Sequence, residues 1–130
     1  MTINDYVVGI DIGGTTTAFG CVDRQGYLLA GGEILTLAHQ PAEFFVPRLW
    51  AAIETLRATL PEGGELKGIG IGAPNANRLR GTIENPVNLN WGAEVNLVEQ
   101  IRQHQELPVV ITNDANAAAL GEMLFGGARG

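Results

Sequence analysis

Residues 8–17, Val-Gly-Ile-Asp-Ile-Gly-Gly-Thr-Thr-Thr, limit the possible folds more than any other stretch. Val8, Ile10 and Ile12 alternate with Gly9 and Asp11, the period-two pattern of a strand with one buried face. The alternation stops at two glycines and three threonines. Gly13 and Gly14 have no Cβ, so the chain can turn tightly and its backbone can lie against a ligand. Exposed N–H groups with threonine hydroxyls beside them make an anion cradle. Asp11, at the strand end, adds a carboxylate suited to hydrated Mg²⁺. A tight β-hairpin with threonine-rich flanks and Asp11 as a turn residue accounts for the same spacing. This stretch alone leaves both readings open.

At 130 residues the chain is long enough for one domain with a real core, and its 45% hydrophobic content favours folding over disorder. Its formal net charge is −6 and it has no basic run. A nucleic-acid partner is therefore not expected, because phosphate backbones require clustered Lys and Arg. No stretch approaches a membrane-spanning length and the N-terminus does not read as a signal peptide, so no membrane partner is expected either. Cys21 is the single cysteine. In its apolar, strand-like context it reads as a buried packing residue of a protein in a reducing cytoplasm. The 18 glycines punctuate apolar runs instead of forming a linker.

Strands are expected over 6–12, 16–23 and 27 to about 37, with a bulge near Gly31-Gly32 and a turn at Arg24-Gln25-Gly26. Pro41 stands where a first helical turn accepts it. From Glu43, residues Phe45, Leu49, Ala52, Ile53, Leu56 and Leu60 follow helical spacing up to Pro61. A buried strand over 66–72 leads into a loop over 73–77, and residues 78–92 read as irregular, with a turn at Gly81. A second helix is expected over 95–104 and a fifth strand over 108–112. Asn113-Asp114 then caps a last helix from Ala115. That helix is rich in Ala and Gly, so something must pack close to it. The order β-β-β-α-β-α-β-α implies an α/β domain: a mixed five-stranded sheet with helices on its faces, parallel where helices make the crossovers.

Three loops then leave carboxyl strand ends: 11–16, 73–77 and 113–114. In open α/β sheets such ends line the ligand crevice. Asp114 stands at a helix N-terminus, where the macrodipole stabilises a carboxylate. Beside a sugar hydroxyl it can accept the proton as phosphate leaves its donor. Taken alone, Asn113-Asp114 reads first as an ordinary N-cap pair.

Four motifs occur in order: Asp11-Ile-Gly-Gly-Thr15, Gly72-Ala-Pro-Asn75, Asn85-Pro-Val-Asn-Leu-Asn-Trp91 and Asn113-Asp-Ala-Asn-Ala-Ala-Ala-Leu-Gly-Glu122. Together they resemble the ROK (repressor, open reading frame, kinase) sugar kinases over about residues 6–130, and the bacterial glucokinases most. The resemblance implies a lobe of the actin/hexokinase-like, ribonuclease-H-like ATPase fold. It implies ATP and Mg²⁺ as cofactors and a hexose as substrate. Asp11 matches the aspartate near the metal–phosphate group, and Gly13, Gly14, Thr15 and Thr16 match the first phosphate loop. Gly72, Ala73, Pro74 and Asn75 match the loop lining the sugar cleft. Asn113 matches a sugar-hydroxyl ligand and Asp114 the catalytic base. Asn88 aligns with the asparagine of a Pro-Asn-Leu pattern in the sugar pocket, although Val87 is inserted after Pro86. Trp91 reads as packing in preference to a sugar platform.

Kinases of this kind are more than twice as long. The second phosphate loop, the adenosine-binding segment, the remaining sugar ligands and the Cys/His zinc motif have no counterpart here. Cys21, His39 and His104 do not have zinc-site spacing. Residues 1–130 are accordingly expected to form a single N-terminal lobe without its C-terminal lobe, inactive alone and prone to self-association. A DNA-binding helix-turn-helix is missing, which disfavours the repressor branch. The competing expectations are an N-acetylmannosamine or N-acetylglucosamine kinase, a non-catalytic sugar sensor, and a structural actin-like ATPase, which the sugar-pocket motifs argue against.

Overall fold

β1 (Tyr6–Ile12) lies at the centre of a five-stranded sheet of order β3-β2-β1-β4-β8. The computed structural model describes residues 5–84, 89, 91, 92 and 94–113. β1 pairs antiparallel with β2 (Thr16–Asp23), which pairs antiparallel with β3 (Leu28–Leu35). On its other side β1 runs parallel to β4 (Leu66–Gly72), and β4 runs parallel to β8 (Val109–Thr112). Parallel neighbours need a crossover. Helix α1 (Ala42–Arg57) makes the first, and helix α2 (Leu97–Arg102) forms part of the second. The mixed five-stranded sheet inferred from the sequence is therefore present.

Register decides which residues share a face. Val8 pairs with Cys21 and Ile69, and Ile10 pairs with Phe19 and Ile71. Ile71 in turn pairs with Ile111. These buried side chains form one core with Phe45, Val46, Leu49, Trp50 and Ile53 of α1 and Leu97 and Ile101 of α2. Each fully buried Leu, Ile or Phe contributes roughly 1.5–3 kcal/mol. On the opposite face, Gly31, Gly20, Gly9 and Gly70 stand side by side across four strands. A Cβ at Gly20 would lie 2.5 Å from Leu28 Cδ1 and 3.2 Å from the Ala30 carbonyl oxygen, so Leu28 occupies the space that glycine leaves.

Several sequence expectations need correction. Both described helices pack on the same face of the sheet. Pro41 takes the N-cap position, and α1 ends at Arg57, short of Leu60, with Pro47 inside it. The second helix is confined to Leu97–Arg102, because Glu94–Val95 pair as a strand with Ile83 and Glu84. Residues 73–92 are not wholly irregular. Ala76–Asn77 (β5), Thr82–Glu84 (β6) and Glu94–Val95 (β7) form a second, antiparallel sheet of order β5-β6-β7. Strands of two or three residues are too short to display a period-two signal. Gly81 does turn the chain, at φ +69.

β3 is shorter than 27–37. Thr36 leaves the ladder and Leu37 has φ 54. The irregularity in β3 falls at Leu29, where Cys21 pairs with Ala30 but Val22 with Leu28, and Gly31 and Gly32 pair regularly. The fifth strand begins at Val109, one residue after Pro108. The turn after β2 is as expected. Gly26 has φ +89, and Asp23 Oδ1 accepts from the backbone N–H groups of Gln25 and Tyr27, each at 3.0 Å. Cys21 is fully buried. The last helix from Ala115 lies outside the described residues.

Candidate functional site

The parallel order β1-β4-β8 brings three carboxyl strand ends to one edge of the sheet. At the end of β1 the chain turns over Gly13 and Gly14 into β2. The Gly13 N–H donates to the Thr16 carbonyl at 3.0 Å, closing the turn. A Cβ on Gly13 would sit 2.8 Å from that same oxygen, so the backbone comes too close for any residue but glycine. At the end of β4, Ala73 N–H donates to the Thr112 carbonyl at 2.9 Å. Asn75 then takes φ 58, a left-handed conformation that asparagine tolerates better than most residues. At the end of β8, Asn113 Oδ1 accepts from Ala76 N–H at 2.8 Å and ties the third loop to the second.

Asp11, Ile12, Gly13, Gly14, Ala73, Pro74, Asn75 and Asn113 line one cleft of about 610 Å³. Most of the described residues singled out from the sequence thus meet. Gly72 lies directly behind, buried in the ladder between Asp11 and Thr112. Thr15 and Thr16 are exposed and stand outside that lining. Asn88 and Asp114 lie outside the described residues.

Asp11 is the one ionisable side chain among the described residues of the lining. Among these residues the cleft offers a phosphate a carboxylate and no lysine or arginine, an arrangement that a cation would complement. Mg²⁺ suits that arrangement, because it is commonly held by one or two carboxylates together with substrate phosphates and water. No cluster of three or more His, Cys, Asp and Glu side chains able to hold a metal occurs among the described residues.

Trp91 is buried, with its ring 4.9 Å from that of Phe45 on α1, so it packs into the core. Burial pushes the Cys21 thiol up to about 11, with Arg57 pulling it weakly the other way. Held as a thiol on the α1 side of the sheet, Cys21 takes no part in the cleft. Sequence reasoning missed Thr36. This buried threonine donates its hydroxyl proton to the Gly13 carbonyl at 2.7 Å and its N–H to the Thr15 carbonyl at 2.8 Å. An isolated threonine after a strand carries no periodic or motif signal. A second cleft of about 410 Å³, lined by Arg80, Gly81, Val98 and Arg102 among others, lies beside the small sheet and away from the strand ends.

Residues 7–130 match the ROK family. The chain belongs to that family. Its five-stranded mixed sheet is that of the actin/hexokinase-like lobe which ROK proteins share. The glucokinase of Streptomyces coelicolor is 40% identical over 124 residues, which span 95% of the chain and 37% of that enzyme. The N-acetylmannosamine kinase of Yersinia pestis is 35% identical over 118 residues, 88% of the chain and 38% of that kinase. The crystal structure of a ROK glucokinase from Streptomyces griseus, in complex with glucose and AMPPNP, superposes with a TM-score of 0.74 at 36% identity. That alignment covers 96% of the chain and 38% of the solved one. The ROK chain described here therefore spans under two fifths of the length of these relatives.

Proposed function

We propose that the protein is the N-terminal lobe of a cytoplasmic ROK sugar kinase that transfers the γ-phosphoryl group of ATP to a hexose, converting glucose to glucose 6-phosphate. One observation carries the proposal. Asp11, the Gly13-Gly14 turn, the Ala73–Asn75 loop and Asn113 line a single cleft at the carboxyl ends of parallel strands. The glucose and AMPPNP held by the Streptomyces griseus relative support the choice of substrates.

In this mechanism the backbone of Gly13 and Gly14, with the Thr15 and Thr16 hydroxyls, takes the donor phosphates. Asp11 would hold a Mg²⁺ ion, which would supply neutralisation of phosphate charge there. Gly72, Ala73, Pro74, Asn75, Asn88 and Asn113 form the sugar side. Asp114, next in sequence to Asn113, accepts the proton of the attacking hydroxyl. The sugar oxygen forms its bond to the γ-phosphorus as the bond to the β–γ bridging oxygen breaks.

Phosphoryl transfer depends on holding donor and acceptor in line, and a single lobe offers half of the cleft. The 130-residue chain alone is therefore expected to show no turnover with glucose and Mg-ATP in a coupled assay. Joined to the C-terminal remainder of the Streptomyces coelicolor glucokinase, it is expected to phosphorylate glucose. Turnover by the isolated chain that disappears in Asp114→Ala would refute the two-lobe requirement. A folded, two-lobed protein that phosphorylates neither glucose nor an amino sugar would refute the kinase proposal. The similarity to N-acetylmannosamine kinase makes N-acetylated amino sugars the second substrates to assay. Sugar binding without phosphorylation would indicate a sensor.

A further inference from the structure

Thr36 belongs to none of the four sequence motifs, yet its hydroxyl and its N–H both hold the Gly13–Thr15 turn. Its hydroxyl donates to the Gly13 carbonyl at 2.7 Å. A hydroxyl has one proton, so in the 2.8 Å contact with Thr17 Oγ1 the Thr17 hydroxyl is the donor. The Thr36 N–H donates to the Thr15 carbonyl at 2.8 Å. The Thr36 carbonyl accepts from Arg48 Nη2 at 2.8 Å, while Arg48 Nη1 donates to the neighbouring Leu35 carbonyl at 2.8 Å. Thr17 and Thr36 are both fully buried.

The arrangement has a direction. Arg48 projects from α1, and its planar fork grips two successive carbonyls as the chain leaves β3. Phe45, one turn earlier, lies under the Arg48 guanidinium at 5.7 Å and packs against Trp91. The core thus holds Arg48, Arg48 holds Thr36, and Thr36 holds the carbonyls on either side of Gly14. With both carbonyls drawn toward Thr36, the peptide planes of the turn are set from behind. The orientation of a peptide plane fixes where its N–H points.

We infer that Thr36 is a positioning residue for the phosphate turn, held in place by Arg48, and that it sets the orientation of the Gly14 and Thr16 N–H groups before any phosphate arrives. The inference deepens the proposed function and rests on it for the identity of the ligand, though not for the geometry of the turn.

The test uses ¹⁵N-labelled 130-residue chain. Thr36→Val keeps the shape and the backbone N–H but removes the hydroxyl, leaving the Gly13 carbonyl without its donor. Thr36→Ser keeps the hydroxyl. Ile53→Val, in the core beneath α1, serves as a control for simple destabilisation. In Thr36→Val the Gly14 amide signal should move and exchange with solvent at least about tenfold faster, with a smaller change at Thr16, while β4 amides keep wild-type protection. Thr36→Ser should restore both signals, and Ile53→Val should leave them in place. If Thr36→Val does not fold, Thr17→Val, which removes only the donor behind the Thr36 hydroxyl, should move the same two amides by a smaller amount. Wild-type Gly14 and Thr16 amides in folded Thr36→Val, or in Thr17→Val should Thr36→Val not fold, would overturn the inference. So would equal changes in Ile53→Val. Mg-ATP titration of the same samples should then bind at least about tenfold more weakly to Thr36→Val and within about twofold of wild type to Thr36→Ser. A wild-type chain that binds no Mg-ATP would count against the proposed ligand, with the amide signals still deciding the positioning role.

Discussion

Ala76 and Asn113, thirty-seven residues apart, are joined by a 2.8 Å hydrogen bond from the Ala76 N–H to Asn113 Oδ1. The bond orients the Asn113 amide, because only its oxygen can accept from an N–H. It also pins the loop after β4 to the end of β8 at the rim of the cleft. Asn113 thus serves as acceptor for the loop, and under the proposed function it has a second, separable duty as donor to the sugar. Asn113→Asp keeps the acceptor and loses the donor. In the two-lobed kinase it should raise the sugar KM by about tenfold with little change in melting temperature. Asn113→Ala should show the same KM effect and, in addition, lose about 1 kcal/mol of stability in chemical denaturation. Equal stability losses in the two variants would show that the tether does not depend on the acceptor.

Asp114 is assigned the proton-accepting role. In the two-lobed kinase, Asp114→Asn should lower kcat by about 10²–10⁴-fold while raising the sugar KM far less, since the amide keeps the size and one acceptor but takes no proton. Steady-state kinetics with glucose as the varied substrate measures both. A near-normal kcat would leave Asp114 with a capping role only.

Cys21 should behave as an inert core residue. Its thiol is pushed from an ordinary 9.0 up to about 11 by burial. The folded chain keeps the proton up to about pH 11, whereas the unfolded chain releases it near 9.0. Between these values deprotonation favours the unfolded state, so this contribution to stability is complete below about pH 9 and is lost as pH rises through the window. Denaturation midpoints of wild type and Cys21→Ala, compared from pH 8 upward in steps of about one unit, should converge as the wild type loses its advantage. At pH 8 a thiol reagent should label Cys21 only at the rate of unfolding. Rapid labelling of folded protein would contradict the burial argument.

Edge strand β3 should promote self-association. Leu28 and Leu35 on it and Tyr27 beside it are 62%, 59% and 70% exposed, and among the described strands β3 pairs with β2 alone. An apolar edge with free N–H and C=O groups is a template for pairing with another chain. The mass from sedimentation or light scattering should rise with concentration, and Leu35→Lys should suppress the rise. A constant monomer mass into the high micromolar range would count against β3 as an interface.

The sequence by itself determined the central sheet and the two described helices. The alternation Val8-Ile10-Ile12 and the helical spacing of Phe45, Leu49 and Ile53 are local signals, present within one stretch and repeated often enough to read. The residues of the cleft were legible for a related reason. Asp11, Gly13, Gly14 and the run from Gly72 to Asn75 belong to contiguous motifs whose chemistry is evident without knowing their neighbours. Only the tertiary structure decided that these motifs meet, because the strand order β1-β4-β8 is set by pairing between residues about 60 and 40 positions apart. It also decided the small sheet, whose strands are too short for a period, and the early end of α1 at Arg57. Thr36 is the clearest case. Nothing in Leu35-Thr36-Leu37 distinguishes that threonine, and its role exists solely through partners at Gly13, Thr15, Thr17 and Arg48 that the fold brings to it. Hydrogen bonds between distant segments leave no repeating mark in a chain, so a residue that works only through them becomes visible when the chain is folded.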